Sequence, residues 1–268
     1  MKNKWLKTLT CFASVFAIGS TIAISSTSCG CSTVEKINPL PENVYDIDKT
    51  THELKGFKSD FLNNPDSEIY QNNFKDCDSM EIPASVTNIN ANAFWNFETL
   101  NTTIPSFIKN LTFAKNSNCS SIGNSAFAYS VLNSVDFSNA NSLEKIEDSA
   151  FYMCSSLVSV DLTNCTNLSS IGDWAFDTCT SLTSITFPSS LREIGEYAFS
   201  DCSKLNDIKW DLPEKYKTDI TIDPSAFDSI SQTGTVESLN PSITSQELLD
   251  WIKTKGSFPS GDGWKPAK

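Results

Sequence analysis

The chain has 268 residues, with 32 acidic and 20 basic side chains and a formal net charge of −12. This charge disfavours a nucleic-acid partner, because proteins that bind the phosphate backbone need clustered Lys and Arg. A hydrophobic content of 39% excludes general disorder. The single histidine, His52, excludes histidine-rich metal sites and leaves one candidate for Ser-His or Cys-His catalysis.

Residues 1–28 have the layout of a secretory signal peptide. Three lysines precede an uncharged, mostly apolar run from Leu9 to Ile24, which is short for a membrane span of about 20 apolar residues. Small residues stand directly before Cys29. This segment resembles the lipobox of bacterial lipoproteins, of the loose kind found in low-GC and wall-less bacteria. It departs from the usual box in having Ser26 where leucine is common.

The resemblance implies that Cys29 is diacylated and becomes the mature N-terminus. A diacylglyceryl-cysteine would anchor the protein in the cell membrane on the extracellular face, since two acyl chains give stable anchoring. The alternative is an ordinary signal peptide cleaved nearby, with Cys29 as a plain thiol. Removal of residues 1–28 leaves 17 basic and 32 acidic residues, so the mature net charge is −15.

The next two segments predict a tether and an N-terminal cap helix. Residues 29–49 are polar and contain two prolines, which is typical of a tether. Residues 50–68 predict the helix, because Thr50 and Glu53 have the spacing of a capping box. His52 would lie in its first turn as a solvated bystander. The apolar residues that follow fall on one helical face: Leu54, Phe57, Phe61 and Leu62.

Residues 69–230 are repetitive, and the clearest phrase joins an isoleucine to a phenylalanine five residues later. Alanine precedes the phenylalanine in six copies, and Asn73 replaces it in a seventh, degenerate copy. The six pairs are Ile89–Phe94, Ile122–Phe127, Ile146–Phe151, Ile171–Phe176, Ile194–Phe199 and Ile222–Phe227.

A second phrase, apolar-x-x-apolar-x-apolar, lies between these pairs. From Ile108 to Leu205 four steps span 97 residues, or about 24 residues per repeat. The last two apolar positions share one face of a short strand, and the residue between them points outward. A third phrase, apolar-x-x-Ile, leads back into the first. A coil of this length cannot bury its apolar side alone, so the pattern predicts a repeat solenoid.

These phrases resemble the BspA-like subclass of leucine-rich repeats, whose units carry Ile-x-x-x-Ala-Phe-x-x-Cys. The resemblance covers about six units in residues 69–230 and implies a right-handed coil with short parallel strands. The chain departs from it by an insertion of about eight residues between Phe94 and Leu111, which predicts a bulge or side loop near residues 98–107. The phrase also lacks its cysteine in the first, second and last units.

Residues 231–268 predict a C-terminal cap and tail. Thr244 and Glu247 have capping-box spacing, and the apolar residues behind them predict a helix near residues 245–254 that covers the open end of the core. A helix lying on the membrane is the alternative, which Glu247 and Asp250 disfavour.

The cysteines of the array predict core packing. Cys154, Cys179 and Cys202 each follow a repeat phenylalanine by three residues, and a free thiol is a good small apolar filler. Stacked coils would bring this column within disulfide distance, so pairing stays open. No Cys-x-x-Cys pair exists, which disfavours zinc, and no cofactor or metal is predicted.

The outward residues of the strand phrase form two polar columns. Horseshoe-shaped repeat proteins usually bind on this face, so the resemblance implies a ligand site here. Asp136 and Asp161 should be neighbours on adjacent coils, and the face fits a basic protein, a glycan or a cation, or simply a solvated surface. The candidate ligand-binding residues are Glu81, Asp136, Asp161, Asp207 and Lys209.

We therefore predict a non-enzymatic surface lipoprotein without catalytic residues. It would mediate adhesion-type binding to a protein or glycan on host or neighbouring cells. One alternative is a structural, antigenic coat protein with no specific ligand. A hydrolase is a remoter alternative, because paired carboxylates suggest glycoside hydrolysis but a shallow repeat surface lacks the desolvated cleft that such chemistry needs.

Overall fold

The computed structural model describes residues 42–58, 78–95, 108–213, 219–256, 258–259 and 261–268. In these ranges the chain forms sixteen short strands, one 3-10 helix (Glu42–Val44) and one α-helix, α1 (Ser245–Lys253). The strands are β1 (Tyr45–Ile47), β2 (Glu53–Phe57), β3 (Ser79–Ile82), β4 (Asn88–Ile89), β5 (Asn110–Phe113), β6 (Ser121–Ile122), β7 (Ser134–Asp136), β8 (Lys145–Ile146), β9 (Ser159–Asp161), β10 (Ser170–Ile171), β11 (Ser184–Phe187), β12 (Glu193–Ile194), β13 (Asp207–Trp210), β14 (Thr221–Ile222), β15 (Gly234–Ser238) and β16 (Trp264–Pro266).

The strands form two sheets, and each coil contributes one strand to each sheet. In the first sheet the odd-numbered strands from β3 to β15 pair in order, and β16 lies beside β15. In the second sheet the even-numbered strands from β2 to β14 pair in order, and β1 lies beside β2. Successive coils are in register, so that Ile185 pairs with Ile208 and Ile171 pairs with Ile194. This confirms the predicted solenoid of about six coils. The second sheet arises because the isoleucine phrase also forms a strand.

A continuous stack of phenylalanine rings runs through the interior. Neighbouring ring centroids lie 5.1 to 5.5 Å apart with interplanar angles of 12° or less. Every alanine that precedes a stacked ring from Ala126 to Ala226 is fully buried, which explains why no larger residue stands there. Each coil therefore depends on its neighbours for burial. The stacked residues are Phe94, Phe127, Phe151, Phe176, Phe199 and Phe227.

The cysteines in the described ranges are free and buried, which confirms the prediction that they pack the core. In the column, each thiol donates a hydrogen bond to a phenylalanine carbonyl of the preceding coil. These bonds run from Cys154 to Phe127, from Cys179 to Phe151 and from Cys202 to Phe176, at 3.2, 3.3 and 3.1 Å. Burial raises the pKa of Cys119 and Cys165 to about 12, and it raises the pKa of Cys179 well above its usual value. These thiols are therefore inert.

The N-terminal end of the array carries a β-hairpin, so the helix predicted within residues 50–68 is wrong where it is described. The Asp48 carboxylate accepts the backbone N–H groups of Thr50 and Thr51 at 2.8 and 3.0 Å, which makes a turn and not a capping box. Gly56 has a φ of 128°, and a Cβ there would lie 2.4 Å from the Ala93 carbonyl oxygen. Glu53–Phe57 forms strand β2, paired antiparallel with β1, and the φ of Gly56 is incompatible with a helix. Residues 59–68 lie outside the described residues.

The predicted tether ends earlier than residue 49. Val44 and Tyr45 are 1% and 2% exposed, and the Tyr45 ring stacks on Phe57 at 5.5 Å, so residues 42–49 belong to the folded body. Hydrogen bonds from Thr51 and Lys55 hold the pKa of the Asp48 carboxyl well below its usual range. The predicted signal peptide, Cys29, the rest of the tether and the loop near residues 98–107 lie outside the described residues.

The predicted C-terminal cap helix is confirmed. The Thr244 hydroxyl accepts the Glu247 N–H at 3.2 Å, and the Glu247 carboxylate accepts the Thr244 N–H at 2.7 Å. Leu248, Leu249 and Ile252 are buried in the core. The predicted array boundary at residue 230 is too early, because β15 and β16 continue the first sheet. Within the described residues, no helix is long and apolar enough to cross a membrane.

Candidate binding faces

The first candidate surface is the outer side of the odd-numbered strands from β3 to β15, which we call the sheet face. Side chains alternate along a strand, so the inward positions are buried and the outward ones meet solvent. The structure confirms the two predicted columns and adds Thr235 and Glu237. The columns are Ser79, Asn110, Ser134, Ser159, Ser184, Asp207 and Thr235, and Glu81, Thr112, Asp136, Asp161, Thr186, Lys209 and Glu237.

Hydrogen bonds between coils order the first column. The Ser134 hydroxyl donates to the Asn110 side-chain oxygen at 2.8 Å, and the Asn110 amide donates to the Ser79 hydroxyl at 3.3 Å. At the other end, the Thr235 hydroxyl donates to the Asp207 carboxylate at 3.1 Å. The sheet face thus presents polar groups whose positions are fixed before any partner binds.

Two of the five predicted site residues are engaged with each other. The Lys209 ammonium lies 2.9 Å from the Glu237 carboxylate and 3.9 Å from the Asp207 carboxylate. The hydrogen bond to Glu237 raises the pKa of Lys209, so the lysine stays charged in the basic range. The Lys209 ammonium therefore offsets one of the two carboxylates in the C-terminal part of the sheet face.

The other three predicted residues keep their negative charge available. Within the described ranges, Glu81, Asp136 and Asp161 form no ion pair. Asp136 and Asp161 occupy equivalent positions on neighbouring strands, as predicted, because Ser134 pairs with Ser159 in register.

Local hydrogen bonds orient these aspartates. Asp136 accepts the Ser138 N–H at 2.9 Å, and Asp161 accepts the N–H and hydroxyl of Thr163 at 3.0 and 2.6 Å. In the part of the chain that the structure describes, no group of three or more His, Cys, Asp or Glu residues could hold a metal ion. The arrangement can therefore accept hydrogen bonds and attract positive charge.

The second candidate surface was missed by the sequence analysis. It is formed by the outward residues of the Ala-Phe turns, and we call it the turn face. Each turn contributes the residue two positions before its stacked phenylalanine and the two residues directly after it. Four consecutive coils each place one aromatic ring there, and Tyr129 and Trp174 are 38% and 39% exposed. The Tyr129 and Tyr152 rings meet edge to face at 5.4 Å, and the Trp174 and Tyr197 rings stack at 6.2 Å. We call these four residues the aromatic strip.

The backbone of the aromatic strip is unusual. Tyr129, Trp174 and Tyr197 have φ values of 61°, 53° and 52°, in the left-handed region that bulky residues rarely adopt. The position of Trp174 and Tyr197 is held by serine in other coils, at Ser149 for example. The sequence signal was therefore an aromatic residue at a repeat position that is small and polar elsewhere.

Carboxylates surround the aromatic strip. Five successive turns together carry eight Asp and Glu residues and no Lys or Arg. These turns are residues 123–130, 147–154, 172–179, 195–202 and 223–230. Asp148 and Asp173 link coils, because they accept the N–H groups of Asp173 and Glu196 at 3.0 and 2.7 Å. Asp177 is only 9% exposed, and burial together with the nearby Asp201 charge raises the pKa of its carboxyl.

The two sheets, the Ala-Phe turns and the terminal caps define a repeat protein of the parallel β-solenoid class. The model of the BspA type leucine rich repeat region matches six copies over residues 46–122 and 120–245. The chain belongs to this family. No curated protein is similar enough to count as a relative.

One solved structure shares the fold, and two others are similar at a lower level. The pneumococcal vaccine antigen PcpA is 20% identical with a TM-score of 0.58, over 83% of this chain and 46% of that one. A leucine-rich repeat protein of T. pallidum is 16% identical with a TM-score of 0.48, over 86% and 98% of the two chains. One from Bacteroides ovatus is 24% identical with a TM-score of 0.45, over 72% and 43%. The chain spans about half the length of PcpA.

Proposed function

We propose that this protein is a secreted, lipid-anchored surface protein that binds a macromolecular partner through its sheet face and catalyses no reaction. The observation that supports this most directly is the ordered polar sheet face, on which Glu81, Asp136 and Asp161 keep their charges available. Membership of the BspA type leucine rich repeat family and a fold shared with the vaccine antigen PcpA are consistent with this role.

The size of the sheet face fits a protein partner. Seven parallel strands from β3 to β15 extend over about 30 Å at the usual strand spacing. A standard protein interface takes about 20–30 residues on each side, so a protein partner would cover the fourteen residues of the two columns and the residues that border them. The partner would carry basic side chains opposite the three carboxylates, on a host or neighbouring cell. A glycan that donates hydroxyl groups to the same carboxylates is the other outcome of the test.

The anchor would be Cys29. A mature body with a charge of −15 is repelled by an anionic bilayer, which favours projection away from the membrane. Mass spectrometry of the mature N-terminus tests this part, with a diacylated Cys29 as the expected result. A chain that begins elsewhere, or an unmodified Cys29, contradicts the anchor and leaves the binding proposal standing.

Charge reversal tests the binding. The mature protein with Glu81→Lys, Asp136→Lys and Asp161→Lys should lose at least tenfold in capture of its partner from cell-surface extracts. The matched control reverses three exposed acids elsewhere, Glu144, Glu193 and Asp262, and should retain capture. Equal capture by both variants shows that the sheet face is not the site. No capture even by the unaltered protein supports the structural coat protein instead.

A further inference from the structure

We propose that the turn face is a second binding site, independent of the sheet face, which takes an extended arginine-containing peptide segment of a partner protein. The site is the aromatic strip of Tyr129, Tyr152, Trp174 and Tyr197 with the carboxylates of Asp177, Glu196 and Asp201 around it. Its residues share nothing with the sheet face, so the two proposals can succeed or fail separately.

The length of the aromatic strip suits a short peptide. Its rings come from four consecutive coils, whose backbones are joined by hydrogen bonds such as Tyr129 N–H to Tyr152 carbonyl at 2.7 Å and Trp174 N–H to Glu196 carbonyl at 2.8 Å. At the usual spacing between strands, four coils span about 15 Å. Four or five residues of extended peptide have the same length.

The stacked pair in the aromatic strip leaves ring surface accessible. Trp174 stacks on Tyr197 toward one neighbouring coil. Toward the other coil, the equivalent position is Ser149, whose side chain is too small to cover an indole. On the far side of Tyr197 the equivalent residue is Ser225. The 39% exposure of Trp174 reflects this arrangement, and a planar guanidinium could stack on such a face.

The charges identify the chemical class of the peptide. The five turns contain eight carboxylates and no Lys or Arg. Asp177 lies close enough to Tyr152 and Asp201 for their electrostatic interaction to count, and Glu196 and Asp201 are exposed. Arginine is recognised by this combination, with an aromatic face for its plane and carboxylates for its N–H groups. A neutral saccharide could also stack on the rings and donate hydroxyl groups to the carboxylates, but only a cation offsets their uncompensated negative charge, which favours arginine.

The fold does not need an aromatic ring at the position of Trp174 and Tyr197. At the position of Trp174 and Tyr197, other coils of the same array have Ser125, Ser149 and Ser225. The backbone there is left-handed in Ser125 and Ser149, as it is in the aromatic residues. A large ring is therefore an addition to a turn that already folds with serine, which favours a role in binding over one in packing.

The test uses a short peptide with two arginines among glycines, and its citrulline analogue, which has the same shape without the charge. Fluorescence titration of the mature protein measures the affinity for each peptide. The titration is done at about 0.15 M salt, which screens charges beyond about 8 Å. We expect the arginine peptide to bind at least tenfold more tightly than the citrulline peptide. Trp174→Ser with Tyr197→Ser should weaken the arginine peptide at least tenfold.

Two controls keep the result specific. Val158→Ser removes another exposed apolar side chain, 48% exposed and away from the turn face, and should leave binding within twofold. The neutral sheet-face variant, with Glu81→Gln, Asp136→Asn and Asp161→Asn, should also leave it within twofold. Thermal unfolding of the double serine variant should stay cooperative with an unchanged or higher Tm, which separates lost binding from lost folding.

Three outcomes overturn the proposal. Unchanged affinity in the double serine variant shows that the arginine peptide responds to net charge alone. Loss of binding in the neutral sheet-face variant assigns the peptide to the sheet face, which supports the proposed function and rejects the second site. Binding of a neutral oligosaccharide, lost in the double serine variant and not matched by the arginine peptide, identifies the turn face as a glycan site.

Discussion

The sheet face and the turn face are made by the same repeat, yet they constrain their residues differently. On the sheet face the backbone is extended, and any residue that suits a strand can occupy an outward position. On the turn face two positions per coil are left-handed, at Ser149 and Met153 for example, which favours small residues. Polarity on the sheet face also serves solubility, so binding there is inferred from the three carboxylates that form no ion pair within the described ranges, whereas exposed aromatic rings on the turn face depart from what the fold favours.

The largest effect should come from the core that both faces share. Leu157 is fully buried between coils, so Leu157→Asp places a carboxylate where no water or partner can solvate it. We expect a loss of at least about 4 kcal/mol in the free energy of unfolding, and loss of both faces together. Circular dichroism during urea unfolding measures this. The neighbouring Val158→Ser, 48% exposed, should change stability by less than about 0.5 kcal/mol, and an equal loss in both variants would contradict the burial argument.

The same substitution should have opposite signs on the two faces. Ser149 on the turn face has a φ of 56°, a conformation that strains a residue with a side chain. Ser149→Gly should stabilise the protein by about 0.5–1 kcal/mol, because relief of this strain outweighs the added entropy of the unfolded chain. Ser159→Gly in β9 weakens a strand and should destabilise by about 0.5–1 kcal/mol. The midpoints of chemical unfolding decide this, and two changes of equal sign would show that the faces do not differ as described.

The thermal stability of aspartate variants as a function of pH tests the electrostatic difference between the two faces. Burial raises the pKa of the Asp177 carboxyl, so its contribution to stability is present at low pH and is lost as the pH rises through the raised pKa. Asp177→Asn keeps an oxygen for the Thr178 hydroxyl and should raise the Tm at pH 7. This advantage should shrink as the pH falls toward the ordinary aspartate pKa of about 3.9. Asp136→Asn on the sheet face is the control, and an equal pH-dependent gain there would contradict the argument.

The smallest effect concerns the inner side of the first sheet. The Trp210 indole is fully buried, and within the described residues its N–H has no hydrogen-bond acceptor. Trp210→Phe removes this unsatisfied donor while it loses some volume, and Phe187 already fills the paired position on β11. Removal of the donor and loss of volume have opposite effects on stability. We therefore expect the free energy of unfolding to change by less than about 1 kcal/mol. A loss above about 2 kcal/mol in chemical unfolding would show that the lost volume and the edge-to-face contact of the indole with the Trp251 ring, at 5.5 Å, outweigh the removed donor.

The repeat could be predicted from the sequence because its signals are local and recur. Apolar residues two apart in the second phrase identified the odd-numbered strands from β3 to β13. The column of Cys154, Cys179 and Cys202 was placed in the core by its constant distance from phenylalanine. The capping box of α1 was also predictable, since Thr244 and Glu247 satisfy each other within one turn.

The ends of the array could not be predicted, because they are determined by contacts between distant residues. Thr50 and Glu53 have the same spacing as Thr244 and Glu247, but Gly56 lies against the Ala93 backbone and β2 pairs with β4. Strand β15 lacks the apolar phrase and forms by pairing with β13. The same limit applies to the candidate site, where the ion pair of Lys209 with Glu237 joins residues on two coils.

The phenylalanine stack makes one whole coil the unit by which such a molecule can change length. Duplication of about 24 residues would add one ring to the stack and one rung to each face, and would leave the hairpin and α1 in contact with the same kind of neighbour. Extra residues between the strands of a coil leave the column intact, because the rings stay stacked although successive phenylalanines lie 23 to 33 residues apart in sequence. The surface offered to a partner can therefore grow or shrink only in discrete steps.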